Sequence, residues 1–361
     1  MTLLGDALYE RAYYHCAHCH TGICPTDEEF GIADKKTPGA TEVIALMGVL
    51  EPFEEGAVEV LPRLSGLHVS ASSVQRTTET IGCDVAQRRD QGETFGPAVN
   101  WKWHTDDTGK TVAYVGLDGT GVPQQGEHAE RAEGRMPWVG TVFNPESPHQ
   151  KRHQRIWDSR YVAGLMSLPE VGAQLRRECA AVGIGRADRV IALTDGGNGL
   201  ENCLIDVLAS QAQEIVFILD FWHASDHLEE FAKLWIVGEE PRGEQVKAWC
   251  HQLKHEGGAA LLETLNGLDL SRASPQVQEA HRQLTGYLGH NLHRTNYPDY
   301  IAHGWQIGSG KVESACKSVV GHRLKGPGMR WREYGTTAVC QLRALYKSRN
   351  LWKTYWKRTA A

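Results

Sequence analysis

No apolar run in this chain approaches the roughly 18 residues that a membrane-spanning helix needs, so no membrane partner is expected. The start, Met1-Thr2-Leu3-Leu4-Gly5-Asp6, has neither a basic leader nor a long apolar stretch, and no secretory signal is expected there. Internal repeats and low-complexity tracts are missing, which argues against a solenoid or a disordered scaffold. A nucleophile elbow and a nucleotide-binding P-loop are missing as well, so the chain is expected to need no ATP. Its cysteines number nine. An odd count in a long chain argues against a disulfide framework and for reduced thiols in a cytoplasm.

What is present is ordinary in bulk and uneven in detail. A chain of 361 residues exceeds the size at which one core usually keeps growing, so several modules are expected. The net charge of −6 hides an asymmetry. Acids crowd the early segment, as in Asp27-Glu28-Glu29 and from Glu51 to Glu59. Beyond Gly310, Lys311, Lys317, Arg323, Lys325, Arg330, Arg332, Arg343, Lys347, Arg349, Lys353, Lys357 and Arg358 face only Glu313 and Glu333. Trp331, Tyr334, Tyr346, Trp352, Tyr355 and Trp356 are interleaved with them. Such a segment suits a phosphate backbone and exposed bases; the plainer reading is a solvated helical face with docked aromatics.

The first punctuation is His15-Cys16-Ala17-His18-Cys19-His20, with Cys24 close behind. Cys-x-x-Cys is half of many zinc sites, because its turn brings two thiolates to one metal. Free thiols near a strand are the alternative. Residues 40–62 are amphipathic, and Ser70 is placed to cap a helix running to Ile81. Helix, short glycine-containing turn and helix suggest a helix-turn-helix that carries Ser72, Ser73, Gln75 and Arg76 toward a groove. A plain αα-hairpin has the same pattern. Residues 88–107 read as a polar linker with Trp101 and Trp103 pinned to a neighbour, and His149 to Arg155 is a short basic run suited to a DNA-facing or an ordinary surface loop.

The centre alternates. Strands are expected at 112–117, 138–143, 189–194 and 214–219, and helices near 169–182, 198–209 and 222–235, with helical patterns filling 244–295. Strand and helix in alternation argue for an α/β layer with partly parallel strands. Asp118 ends the first of these strands and leads into Gly119-Thr120-Gly121. Asp195 ends the third and leads into Gly196-Gly197. Glu313 follows Gly308-Ser309-Gly310, where a helix start is expected. A lone strand-end aspartate is often a turn former or helix cap. Two on separate strands with a helix-borne glutamate suit a pair of hard, oxygen-seeking divalent cations. Asp220-Phe221-Trp222-His223 follows one strand later, either as ligands or as a cap with a surface histidine.

These pieces, in this order, resemble the ISKra group of bacterial insertion-sequence transposases, relatives of the Mutator-like DDE enzymes. The likeness is carried by Gly116-Leu117-Asp118-Gly119-Thr120-Gly121, Leu193-Thr194-Asp195-Gly196 and Asp220-Phe221-Trp222-His223. It continues through Gly308-Ser309-Gly310-Lys311-Val312-Glu313-Ser314-Ala315-Cys316-Lys317, Arg323-Leu324-Lys325 and Gly328-Met329-Arg330-Trp331. The resemblance implies an α/β, RNase H-like catalytic core at 112–227 and 306–335, with a helical insertion at 228–305. A Cys/His knuckle at 1–30, expected to be truncated, precedes a helical region at 31–85 and a linker at 86–111. A basic aromatic helix at 336–361 ends the chain.

It further implies a DDE transposase that cleaves and rejoins strands without a covalent protein intermediate. Asp118, Asp195 and Glu313 would hold Mg²⁺ or Mn²⁺, with Asp220 and His223 beside them. Cys16, Cys19 and Cys24 would hold Zn²⁺. Lys317, Arg323, Lys325, Arg330, Trp331 and Arg76 would meet double-stranded DNA: the element's terminal repeats and its target. A homo-oligomer on DNA in the bacterial cytoplasm and nucleoid is implied, with no nucleotide. The alternatives are a transposase-derived DNA-binding protein that no longer cuts, and a host nuclease on the same core.

Overall fold

The computed structural model describes residues 1–359 apart from 4, 129, 145–157 and 198. The basic run from His149 to Arg155 lies outside the described residues. A hairpin of β1 (Tyr14–His15) and β2 (Gly22–Ile23) leads to the short helix α1 (Pro25–Glu29). Helices α2 (Pro38–Leu50), α3 (Phe53–Glu55), α4 (Leu61–Ser65) and α5 (Ala71–Asp90) follow. Then come β3 (His104–Thr105), β4 (Thr111–Gly119), β5 (Val122–Gln125), β6 (Arg131–Arg135), β7 (Trp138–Phe143) and β8 (Ser159–Gly164). Next, α6 (Leu168–Ala181), β9 (Arg189–Thr194), α7 (Leu200–Leu208) and β10 (Ile215–Leu219) alternate. Five helices fill the stretch to residue 302: α8 (Phe221–Trp235), α9 (Glu239–Glu256), α10 (Gly258–Asn266), α11 (Pro275–His290) and α12 (Tyr297–Ala302). The last are α13 (Gly310–Ala315), α14 (His322–Leu324), α15 (Glu333–Lys347) and α16 (Leu351–Thr359).

The main sheet has the order β10-β9-β4-β7-β8, with β3 paired to the start of β4. β7 and β8 are antiparallel, as is β7 to β4. β9 lies parallel to β4 and β10 parallel to β9, because α6 and α7 carry the chain back between strands. Strand residues alternate between faces, and the two cores divide accordingly. Val112, Tyr114, Ile191, Leu193 and Ile218 pack with Phe231, Trp249 and Leu288 of the later helices. Ala113, Val115, Leu117, Val190 and Ala192 pack with Leu175 of α6 and Leu204 of α7. Both faces are covered, which is why β4 and β9 read as continuous apolar runs.

Two sequence expectations change here, in α5 and at the C-terminus. The helix capped by Ser70, whose Oγ accepts from the Ser73 N–H at 3.2 Å, runs on to Asp90 instead of stopping near Ile81. The stretch that follows is pinned to the body. Phe95, Trp103 and Asp106 are buried, and Trp103 Nε1 donates to the Gly183 carbonyl at 3.1 Å. The C-terminal part is two helices, broken at Asn350 (φ 65°), with Trp352, Tyr355 and Trp356 buried. Among the described residues no helix is long and apolar enough to cross a membrane, and all nine cysteines are free thiols.

Candidate active site

The pairing of β4 with β9 sets Gly116 opposite Leu193. Asp118 lies two residues past this last pair and Asp195 follows the end of β9, and Asp195 is within electrostatic reach of Asp118. Leu219 pairs with Thr194, so Asp220 comes next in line on β10. Three carboxylates therefore leave the C-terminal ends of three adjacent parallel strands, the edge where open α/β sheets bind ligands.

Asp118 and Asp195 are half-buried, and each has one oxygen held by the turn behind it. The Gly119 N–H donates to Asp118 Oδ1 at 2.6 Å, and the Gly197 N–H donates to Asp195 Oδ1 at 2.8 Å. Burial lifts the Asp118 carboxyl above the usual carboxylate range. The Gly119 N–H opposes this, and the negative charge of Asp195 adds to it. Such a pair of hard oxygen donors matches the ligand chemistry of Mg²⁺ or Mn²⁺.

Glu313 arrives on α13, which crosses β4 at Gly116. A Cβ at Gly116 would lie 2.2 Å from Val312 Cγ2, so only glycine lets the helix approach this closely. One turn beyond Glu313, the Cys316 thiol donates to Asp118 Oδ2 at 3.6 Å. The Glu313 carboxylate itself is exposed and lies 3.5 Å from Lys317 Nζ. Among the described residues no group of three or more His, Cys, Asp or Glu side chains is gathered to hold a metal ion. The structure brings the two aspartates together and leaves the third carboxylate at the rim.

Asp220 is almost fully buried and caps α8 by accepting from the Trp222 N–H at 2.9 Å. Its other oxygen accepts from the Ser309 hydroxyl. Both oxygens are engaged, so Asp220 ties β10 to the Gly308–Gly310 loop that launches α13; it positions the site. His223 is half-buried on the first turn of α8, within electrostatic reach of Asp118 and 4.9 Å ring to ring from His227.

Two residues escaped sequence reasoning. Tyr287 on α11 donates its hydroxyl to the Asp195 carbonyl at 2.9 Å, and buried Arg294 donates to Thr194 Oγ1 at 2.7 Å. Both brace the end of β9 from the helical stretch, about 100 residues away in sequence, and no local pattern marks them.

Of the DNA-facing expectations, Arg76, Lys317, Lys325 and Arg330 are exposed. Arg323 and Trp331 are buried. Arg323 is 2% exposed, donates to the Gly48 carbonyl at 2.8 Å and is flanked by the rings of Phe53 and Trp331. Arg343 is likewise buried, donating to the carbonyls of Val49, Ser318 and Val319. In the hairpin, Cys16 and Cys19 are exposed neighbours, and hydrogen bonds from Thr21 and then Cys16 bring the Cys19 thiol down to about 7. Cys24 stands at the N-cap position of α1, with no cap hydrogen bond from its side chain, and forms no three-donor group with them.

No protein-family model matches the chain, and no curated protein matches it.

Proposed function

We propose that the chain is a DDE transposase: a divalent-metal-dependent enzyme that cleaves DNA strands and transfers the freed ends, built on an RNase H-like core. The observation that carries the reading is the parallel pairing of β4 with β9, whose C-terminal ends carry Asp118 and Asp195 within electrostatic reach of each other. The strand order, an antiparallel pair continuing into three parallel strands, supports an RNase H-like core. The motif order from Asp118 to Trp331 supports the transposase.

Asp118 and Asp195 would hold the metal, with Glu313 completing the set once it leaves Lys317. Bound divalent cations supply Lewis-acid stabilisation of the attacking and leaving oxygens. The chain's own residues supply placement. Gly119 and Gly197 fix one oxygen of each aspartate, Cys316 holds the second oxygen of Asp118, and Tyr287 and Arg294 fix the backbone behind Asp195. Asp220 anchors the loop that sets where Glu313 starts. His223, beside Asp118, is placed to hydrogen-bond a phosphate oxygen or the attacking hydroxyl. In the reaction a water or 3′-hydroxyl oxygen forms a bond to phosphorus as the bond to the leaving 3′-oxygen breaks, and no bond to protein is formed.

The ion pair of Glu313 with Lys317 favours a second reading, a DNA-binding protein that no longer cuts. The test is strand cleavage and joining on DNA carrying the sequences that flank the coding region, with Mg²⁺ or Mn²⁺ and without ATP. The parent should cut. Asp118→Ala, Asp195→Ala and Glu313→Ala should each lose at least about a hundredfold in rate, since a lost ligand removes several kcal/mol of stabilisation and about 1.4 kcal/mol is tenfold. A parent that binds these ends and never cuts them supports the second reading. Full activity in all three variants overturns the first.

A further inference from the structure

A cleft of about 900 Å³ lies between the start of α5 and the segment joining α14 to α15, lined among others by Ser72, Arg323, Arg330, Trp331, Arg332 and Tyr334. Two long helices present their N-termini to it. Ala71 and Ser72 open the 20-residue α5, while Tyr334 and Gly335 belong to the first turn of the 15-residue α15. No side chain caps α15 at Arg332, so its first amide groups have no local acceptor. Helix N-termini carry partial positive charge and free N–H donors, the two properties an anion needs.

The second, independent observation is Arg323. This side chain is 2% exposed and lines the cleft, its Nε and Nη1 are bound to the Gly48 carbonyl and Met329 Sδ, and its Nη2 is buried with no hydrogen-bond partner. Among the described residues no carboxylate forms an ion pair with it, though Glu51 lies within electrostatic reach. A buried guanidinium nitrogen without an acceptor is costly, and an anion removes that cost. Arg330 and Arg332 stand exposed at the rim. Of the acids there, Glu333 is paired with Arg135 at 2.9 Å, while Glu54 and Glu79, which accepts from Gln75, are the opposing charges. The exposed ring of Tyr334 adds flat apolar surface beside the cations, and the buried indole of Trp331 stands behind Arg323.

We infer that this cleft binds a nucleotide of the DNA strand that has left the base stack, its phosphate taken by Arg323, Arg330, Arg332 and the amide end of α15, and its base laid against Tyr334. The proposal rests on the nucleic-acid reading above and deepens it. Lys325, which hydrogen-bonds Thr120 in the turn after Asp118, joins this segment to the candidate active site, so a strand held here runs on toward the two aspartates. Rings that stack on bases and arginines that take phosphates are the usual means of holding unpaired strands.

The test uses the full chain and a duplex with a single-stranded tail containing 5-iodouracil, read by photocrosslinking and by salt-dependent binding. Arg330→Gln and Arg332→Gln are the variants, both at exposed positions; exposed Lys254→Gln, on α9, is the control. The expected crosslinks fall on Tyr334. Each arginine variant should lower the slope of log affinity against log salt by about one, with the control at that of the parent. Crosslinks elsewhere with unchanged slopes overturn the cleft while leaving the cleavage reading intact. Loss of cutting in Asp118→Ala with crosslinks and slopes preserved supports the cleft separately from catalysis. Should inorganic phosphate bind the parent but not the variants, while the DNA slopes stay unchanged, the occupant is a free anion and the proposal fails.

Discussion

At the scale of single residues, Asp118 is a carboxylate held against its preference for water. Its folded pKa lies above the ordinary 3.8, chiefly through burial and further through Asp195. A group raised in this way binds its proton more tightly in the folded chain than in the unfolded one. Stability is therefore fully kept below the unfolded value and is lost as the pH rises through the folded one. Asp118→Asn removes the charge and keeps an acceptor for the Gly119 N–H. In metal-free buffer it should raise Tm near neutral pH, and the gain should fade as the pH falls toward about 4, where the parent carboxyl is protonated as well. Thermal melts across that range decide the matter. A variant less stable than the parent at neutral pH would mean that the ionised carboxylate is satisfied where it stands.

At the scale of elements, the site depends on how closely α13 lies on β4. The contact runs through Gly116 and Val312. Gly116→Ala should cost about 1–3 kcal/mol by overpacking, and Val312→Ala in the same chain should recover much of it. Unfolding free energies of the two single variants and the double variant form the cycle. Strictly additive losses would show that this contact does not seat α13. The elements themselves were largely legible: β9 falls at 189–194, as its apolar run ending in Asp-Gly suggests, and Ser70 caps α5. What was not legible has long-range causes. Gln87, Arg88 and Arg89 look like linker residues, yet Arg89 is buried and donates to Gln341 and the Tyr161 carbonyl, which carries α5 onward to Asp90. A count of cations likewise cannot tell exposed Arg330 from Arg323 and Arg343, whose partners are backbone carbonyls of distant helices. Glu313 was visible in its motif; its engagement with Lys317 was not.

At the scale of the molecule, two bodies of helix meet at one edge of the sheet. The stretch from α8 to α12 braces the second aspartate through Tyr287 and Arg294, and α13 with its π-helical continuation at Cys316–Gly321 touches the first through Cys316. The helical stretch is thus part of the site's support, as the span from Asp195 to Glu313 requires. The account's central claim is that Asp118 and Asp195 share a divalent cation. Binding of Mn²⁺ to the full chain, followed by the loss of the free-ion electron paramagnetic resonance signal, tests it most directly. The parent should bind Mn²⁺, while Asp118→Ala and Asp195→Ala should each weaken that binding by about tenfold or more, the equivalent of about 1.4 kcal/mol. Asp206→Asn, on the far side of α7, should bind as the parent does. Equal Mn²⁺ affinity in the parent and both alanine variants would contradict the claim.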